Sequence, residues 1–167
     1  MMLFSELPDE ARLWIFAAHH TLSEAASQAL LTQLKPFLDT WHAHGLPVQG
    51  HACTLHHRFL LLAGHVAAGE ISGCSIDAAT RAVHAVGEAL GIQWLSPLLV
   101  FYRDPSGQIV HTSRGQFRRL IAERKITPET PVFDLSLTTL GALRQNGFEK
   151  PASQSWLARW FTLVPSV

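Results

Sequence analysis

The run Phe59-Leu-Leu-Leu-Ala63 does most to limit what this chain can fold into. Its residues are apolar without alternation, as in a strand covered on both faces rather than one lying half in water. A second strand precedes it, Val48 to His56, and the covered one extends over Arg58 to Gly64. An earlier strand reads from Arg12 to Ala18, rich in aromatic and β-forming residues and preceded by Pro8.

Between these strands the period changes to that of a helix. Thr21-Leu-Ser-Glu24 has the spacing of a capping box, which predicts a helix start at Thr21. Leu22, Ala26, Leu30, Leu34, Phe37 and Trp41 then recur at helical spacing up to a stop at Gly45-Leu-Pro47. Pro36 lies inside this pattern and deprives the Thr32 carbonyl of its partner, so a kink is expected. A second helix carries Ile76, Ala79, Val83, Val86 and Leu90 on one stripe, with Ser75 as the expected N-cap and Gly91 as its left-handed close. Leu98–Arg103 and Gln108–His111 read as a hairpin across Asp104-Pro-Ser-Gly107.

The order β-α-β-β-α-β predicts an α+β fold: a ferredoxin-like, split β-α-β sheet with helices on one face. Extra C-terminal elements follow: a short helix around Phe117, Leu120 and Ile121, a strand at Val132–Leu135, and helical turns near Thr139–Gln145 and Ser155–Phe161. No repeat, low-complexity stretch or linker interrupts the chain. A single domain over residues 1–167 is therefore expected.

Composition narrows the function. With 47% apolar and 16% charged residues the chain is neither disordered nor heavily solvated. Its formal net charge of zero provides no global attraction for nucleic acid or an anionic membrane. Zero net charge with positive mean hydropathy favours self-association, and a homodimer is expected. The first ten residues lack the basic and apolar regions of a signal peptide, and no apolar run approaches a membrane span, so a cytoplasmic location is expected. Cys53 and Cys74 form no CxxC, which gives no sign of a disulfide scaffold or zinc ribbon.

Several chemistries lack their motifs. Lys35, Lys125 and Lys150 all lack a preceding glycine, so the phosphate-cradling GxxxxGK[ST] loop is missing. GxGxxG, HExxH, GxSxG and the aromatic RNA-binding pattern are missing too. No cofactor is implied. Ten histidines invite a metal reading, since His51, Cys53, Leu55 and His57 would share one strand face. Next-nearest neighbours on a strand lie roughly 7 Å apart, near the limit for sharing one ion, and no metal site is assigned.

The strongest local signal is Ser72-Gly73-Cys74-Ser75-Ile76-Asp77. Gly73 admits an unusual backbone angle or a close ligand approach. With Ser75 as N-cap, the amides of the first turn and the helix dipole would favour an anion, and Asp77 would sit well for the dipole. Cys74, just before that cap, would have its thiolate favoured. Ser72, Gly73 and Ser75 are thus candidate ligand-binding residues, and Cys74 and Asp77 candidate catalytic ones.

Charge is uneven along the chain. Arg103, Arg114, Arg118, Arg119, Arg124 and Lys125 face only Asp104 and Glu123 between residues 103 and 125, a local net of +4. Arg114 is the ligand-binding candidate of this stretch. Without interleaved aromatic residues, base stacking lacks support and nucleic acid is disfavoured. Trp156 and Trp160, like Leu157 and Phe161, are four apart and give the last helix a large apolar face.

Leu7-Pro8 with Arg12–Ile15, Phe37–Trp41 with His44-Gly45, Ser72–Asp77, Thr130–Phe133 and Pro151–Trp156 together resemble a small bacterial family. It is common in Bacteroidetes-type genomes and often labelled "ABC transporter ATPase". The resemblance spans almost the whole chain in order, and its most specific pieces are the SGCSID and PASxSW motifs. It implies a grouping rather than a mechanism, because ATP hydrolysis of that kind needs the phosphate loop this chain lacks. It points to Cys74 and Asp77 and, second, to Ser153, Ser155 and Trp156; Ser155 and Trp156 join the ligand-binding candidates. Pro36 and the abundant histidine depart from the family pattern.

Two functions follow as expectations. The first is a non-enzymatic binding or regulatory domain that holds a small anionic ligand at the Ser72–Asp77 turn. The alternative is a thiol-dependent enzyme in which Cys74 attacks, Asp77 or a histidine assists and first-turn amides stabilise negative charge.

Overall fold

The computed structural model describes residues 2–162. In chain order its elements are β1 (Arg12–Ala18), α1 (Glu24–Thr40), β2 (His42–Ala43), β3 (Leu46–Pro47), β4 (Gln49–Leu55), β5 (Phe59–His65), α2 (Gly73–Leu90), β6 (Trp94–Leu95), β7 (Val100–Arg103), β8 (Ile109–Thr112), α3 (Arg114–Ala122), β9 (Pro131–Phe133), α4 (Leu140–Asn146), β10 (Glu149–Pro151), a 3-10 turn (Ala152–Gln154) and α5 (Ala158–Thr162). The fold is α+β. Its elements gather into two compact units: β1 to β6 with α1, α2 and α4, and β7 to β10 with α3 and α5.

In the first unit an antiparallel sheet runs β4-β5-β1-β6. One strand therefore lies between β1 and β4, which α1 connects, and one between β5 and β6, which α2 connects. β5 is central as its apolar run requires: Phe59 to Ala63 are at most 1% exposed. Helices α1 and α2 pack over the face that carries Leu60 and Leu62, burying Leu30, Leu34, Ala79 and Val83.

Trp41 is the keystone of this layer. It ends α1 in extended backbone, and its indole Nε1 donates to the Ser75 carbonyl of α2 at 3.0 Å. The ring lies so close to the sheet that a Cβ on Gly50 or Gly64 would meet it at 2.9 or 2.8 Å. Only glycine admits that approach.

Two expectations for the first helix shift. Its N-cap is Ser23 rather than Thr21: the Ser23 hydroxyl accepts from the Ala26 amide at 3.0 Å, making Glu24 the first helical residue. α1 ends at Thr40, and the stretch assigned to its last turn instead forms the β2–β3 hairpin. His44 and Gly45 turn that hairpin with positive φ, as a two-residue turn matching strand twist requires. α1 runs unbroken through Pro36, whose carbonyl accepts from the Thr40 hydroxyl at 2.9 Å. At the other end of β4, His57 leaves the expected face with His51 and Cys53, because it lies in the β4–β5 turn with φ of 52°.

In the second unit an antiparallel sheet runs β10-β9-β7-β8. The expected β7–β8 hairpin is present, its turn drawn in by the Asp104 carboxylate, which accepts from the amides of Ser106 and Gln108. Phe117, Ile121, Val132, Leu157 and Trp160 form its core. Eight basic residues against five acidic ones leave this unit at +3, so the first carries −3. Among the described residues, no helix is long and apolar enough to cross a membrane.

Candidate functional site

The structure moves the start of α2 three residues upstream of the expected one. Ser72, not Ser75, is the N-cap: its backbone is extended and its Oγ accepts from the Ser75 amide at 3.2 Å. The Ser75 hydroxyl is drawn elsewhere, donating to the His42 carbonyl at 2.6 Å. Its hydrogen is thereby committed, so the 2.8 Å contact between the two hydroxyls has Ser72 as donor. With its carbonyl accepting from Trp41 and its hydroxyl donating to His42, Ser75 locks α2 to the corner between α1 and β2.

That lock changes each candidate on the turn. Gly73 is an ordinary first helical residue without positive φ, and a Cβ there would touch nothing within 4 Å. Asp77 falls in the second turn, so the first turn holds no acid and the expected dipole pairing is lost. Cys74 is exposed, and among the described residues no hydrogen bond or ion pair reaches its thiol. Cys53, partly buried on β4, has its thiol pushed up to about 11 by desolvation and is the less reactive of the two.

The second unit brings Arg114 and Trp156 together. Ser113 caps α3, its hydroxyl accepting from the Gln116 amide at 3.1 Å, which makes Arg114 the first helical residue. The Arg114 guanidinium lies over the Trp156 ring, 4.8 Å from its centre, and Nε donates to the Leu98 carbonyl at 3.1 Å. Trp156 meets Trp160 edge to face at 5.6 Å, and Arg118, one turn along α3, lies 5.5 Å over Trp160.

Beside this stack is a groove of about 390 Å³, within the size of small-molecule sites. Pro97, Leu98, Leu99, Val100, Phe133, Leu135, Trp156 and Leu157 form its apolar walls, and Arg114 and Ser136 its polar edge. A turn holds its mouth open: the Leu98 amide donates to the Ser96 hydroxyl and the Leu99 amide to the Ser96 carbonyl. Leu98 is consequently 65% exposed, an apolar side chain offered to solvent at a groove edge.

Among the described residues that line the groove, Arg114 is the charged one. Asp134, just behind Ser136, is buried and already matched: Lys150 donates to it at 3.1 Å and the Ser136 amide at 3.0 Å. Arg114 has no carboxylate partner among the described residues, and its two terminal nitrogens make no hydrogen bond there. Ser155 does not join the site. Its hydroxyl donates to the Ala152 carbonyl at 2.7 Å and accepts from the Leu157 amide, a local cap at the start of the Trp156 turn.

A second groove of about 270 Å³ lies in the first unit, edged by Glu10, Arg12, His65 and Glu70. None of Ser72–Asp77 lines either groove. Sequence reasoning named Arg114 and Trp156 for separate reasons and missed Leu98, Phe133, Leu135 and Ser136. No family model matches the chain, and no curated protein or solved structure matches it either.

Proposed function

We propose that this chain is a binding protein whose Arg114–Trp156 groove takes a small ligand with an apolar body and an anionic head. This keeps the expectation of a non-enzymatic anion binder but moves the site away from Ser72–Asp77, where both serine hydroxyls are already spent. The observation that carries the reading is Arg114 itself: stacked on Trp156, tied by Nε and, among the described residues, left with two unbonded terminal nitrogens beside an apolar groove. Stacking limits the rotamers the guanidinium would otherwise lose on binding, which is preorganisation. Position adds to this. As the first residue of α3, Arg114 is a cation where the helix dipole favours negative charge, so an anion there relieves both.

Calorimetric titration with octanoate and with octanol tests the proposal. Octanoate should bind and octanol should bind far less. Arg114→Gln should weaken octanoate at least about tenfold, the size of a lost charged hydrogen bond. Equal binding of acid and alcohol, or no binding of octanoate at all, would refute it.

A further inference from the structure

Resting on that reading of the groove, we infer that the head group it prefers is a phosphate monoester, a dianion held by Arg114 and Arg118 together, rather than a carboxylate. The two arginines are four apart on α3, so they share one face about 6 Å along the axis from each other. Each guanidinium is laid over its own indole, and the two indoles pack against one another at 5.6 Å. Two cations on one helical face repel unless a carboxylate lies between them. Among the described residues neither makes an ion pair, and neither do the neighbouring Arg119 and Arg124. A single negative charge would answer only half of this field.

A phosphate monoester fits both features. It has three terminal oxygens, carries close to two negative charges above its second pKa near 6, and matches the bidentate fork of arginine. The ester chain would lie along the Leu98, Phe133 and Trp156 walls with the phosphate at Arg114 on the groove edge, while Arg118, outside the lining and over Trp160, would reach it from the next turn of α3. The groove holds roughly one small molecule, so the occupant is a free single-chain ester and not a bilayer headgroup.

The test compares octyl phosphate, octanoate and inorganic phosphate on the intact protein at pH 8. Octyl phosphate should bind at least about tenfold tighter than octanoate, and that advantage should shrink as pH falls below about 6, where the ligand becomes a monoanion. Arg118→Gln should weaken octyl phosphate at least about tenfold more than it weakens octanoate, and Arg118→Lys should restore part of that difference. Equal affinity for both ligands, unmoved by Arg118→Gln, overturns the phosphate preference and leaves the groove reading standing. Failure of both ligands to bind removes both. Inorganic phosphate binding as tightly as the ester, or binding seen only with vesicles of a phosphomonoester lipid, also overturns the inference.

Discussion

Replacing Gly64 with alanine should destabilise the first unit by about 2 kcal/mol, and Trp41 is the reason. The new Cβ would lie 2.8 and 2.9 Å from two Trp41 ring carbons and 3.0 Å from a Val48 methyl. Carbon pairs prefer about 3.5 Å or more, so one partner must yield by over half an ångström. The backbone is a poor candidate, because Gly64 pairs with Arg12 on one side and Gly50 on the other. Trp41 is held as well, by its hydrogen bond to Ser75 and by ring contacts with Trp14 at 5.6 Å and Phe37 at 5.2 Å. Overpacking of this kind costs about 1–3 kcal/mol, and weakening the Trp41–Ser75 bond adds about 1. Stiffening the unfolded chain returns about 0.4–1 kcal/mol. Urea unfolding followed by far-ultraviolet circular dichroism should show a lower midpoint at unchanged slope. In a Trp41→Leu background the same change should cost under about 0.5 kcal/mol, since the opposing ring is gone. An equal cost in both backgrounds would refute the reasoning.

Lys150→Met should cost about 3–5 kcal/mol, because it leaves the buried Asp134 carboxylate without its cation; a thermal melt shifted by less than about 1 kcal/mol would contradict this. Arg124 holds the left-handed position after α3 with φ of 61°, its amide bonding Ile121 and that of Lys125 bonding Leu120. Arg124→Gly should therefore stabilise by about 1 kcal/mol in urea, and no gain would argue that the arginine side chain holds the turn. Iodoacetamide at pH 8 should label Cys74 and spare Cys53 in native protein, since burial keeps Cys53 protonated to about pH 11. Burial penalises the thiolate, so the stability owed to Cys53 is full below its unfolded pKa of about 8.5 and is lost as pH rises towards 11. Cys53→Ala should remove that alkaline slope, and native labelling of Cys53 at pH 8 would contradict the burial argument.

What the sequence disclosed of the fold was whatever its neighbours along the chain could specify. The Arg12–Ala18 and Phe59–Ala63 strands are apolar runs, and the structure places a strand over each. Gly91 closes α2 in the left-handed conformation for reasons local to one residue. The helix starts were less legible because each offers several hydroxyls within a few residues. Ser75 loses the cap to Ser72 since its own hydroxyl finds the His42 carbonyl, 33 residues away. Strands of two or three residues, such as β2, β3 and β10, carry no period at all and exist only through their partners.

The same division explains the site. A hydroxyl-rich turn before a helix looks from sequence like the start of an amide cradle for an anion, but its hydroxyls also serve the fold. The Ser75 hydroxyl is spent on holding α2 to His42, and the Ser72 hydroxyl on capping α2 itself. Arg114 is the opposite case. A serine-capped helix that opens on arginine, with no acid in its first turn, goes against the dipole, and nothing nearby in sequence offsets it. That local mismatch was the readable signal. Its meaning depended on Trp156, 42 residues downstream, and on the exposed Leu98 whose carbonyl holds the guanidinium in place. A charge placed against local preference, fixed by long-range contacts and given no carboxylate partner among the described residues is what the proposed anion site rests on.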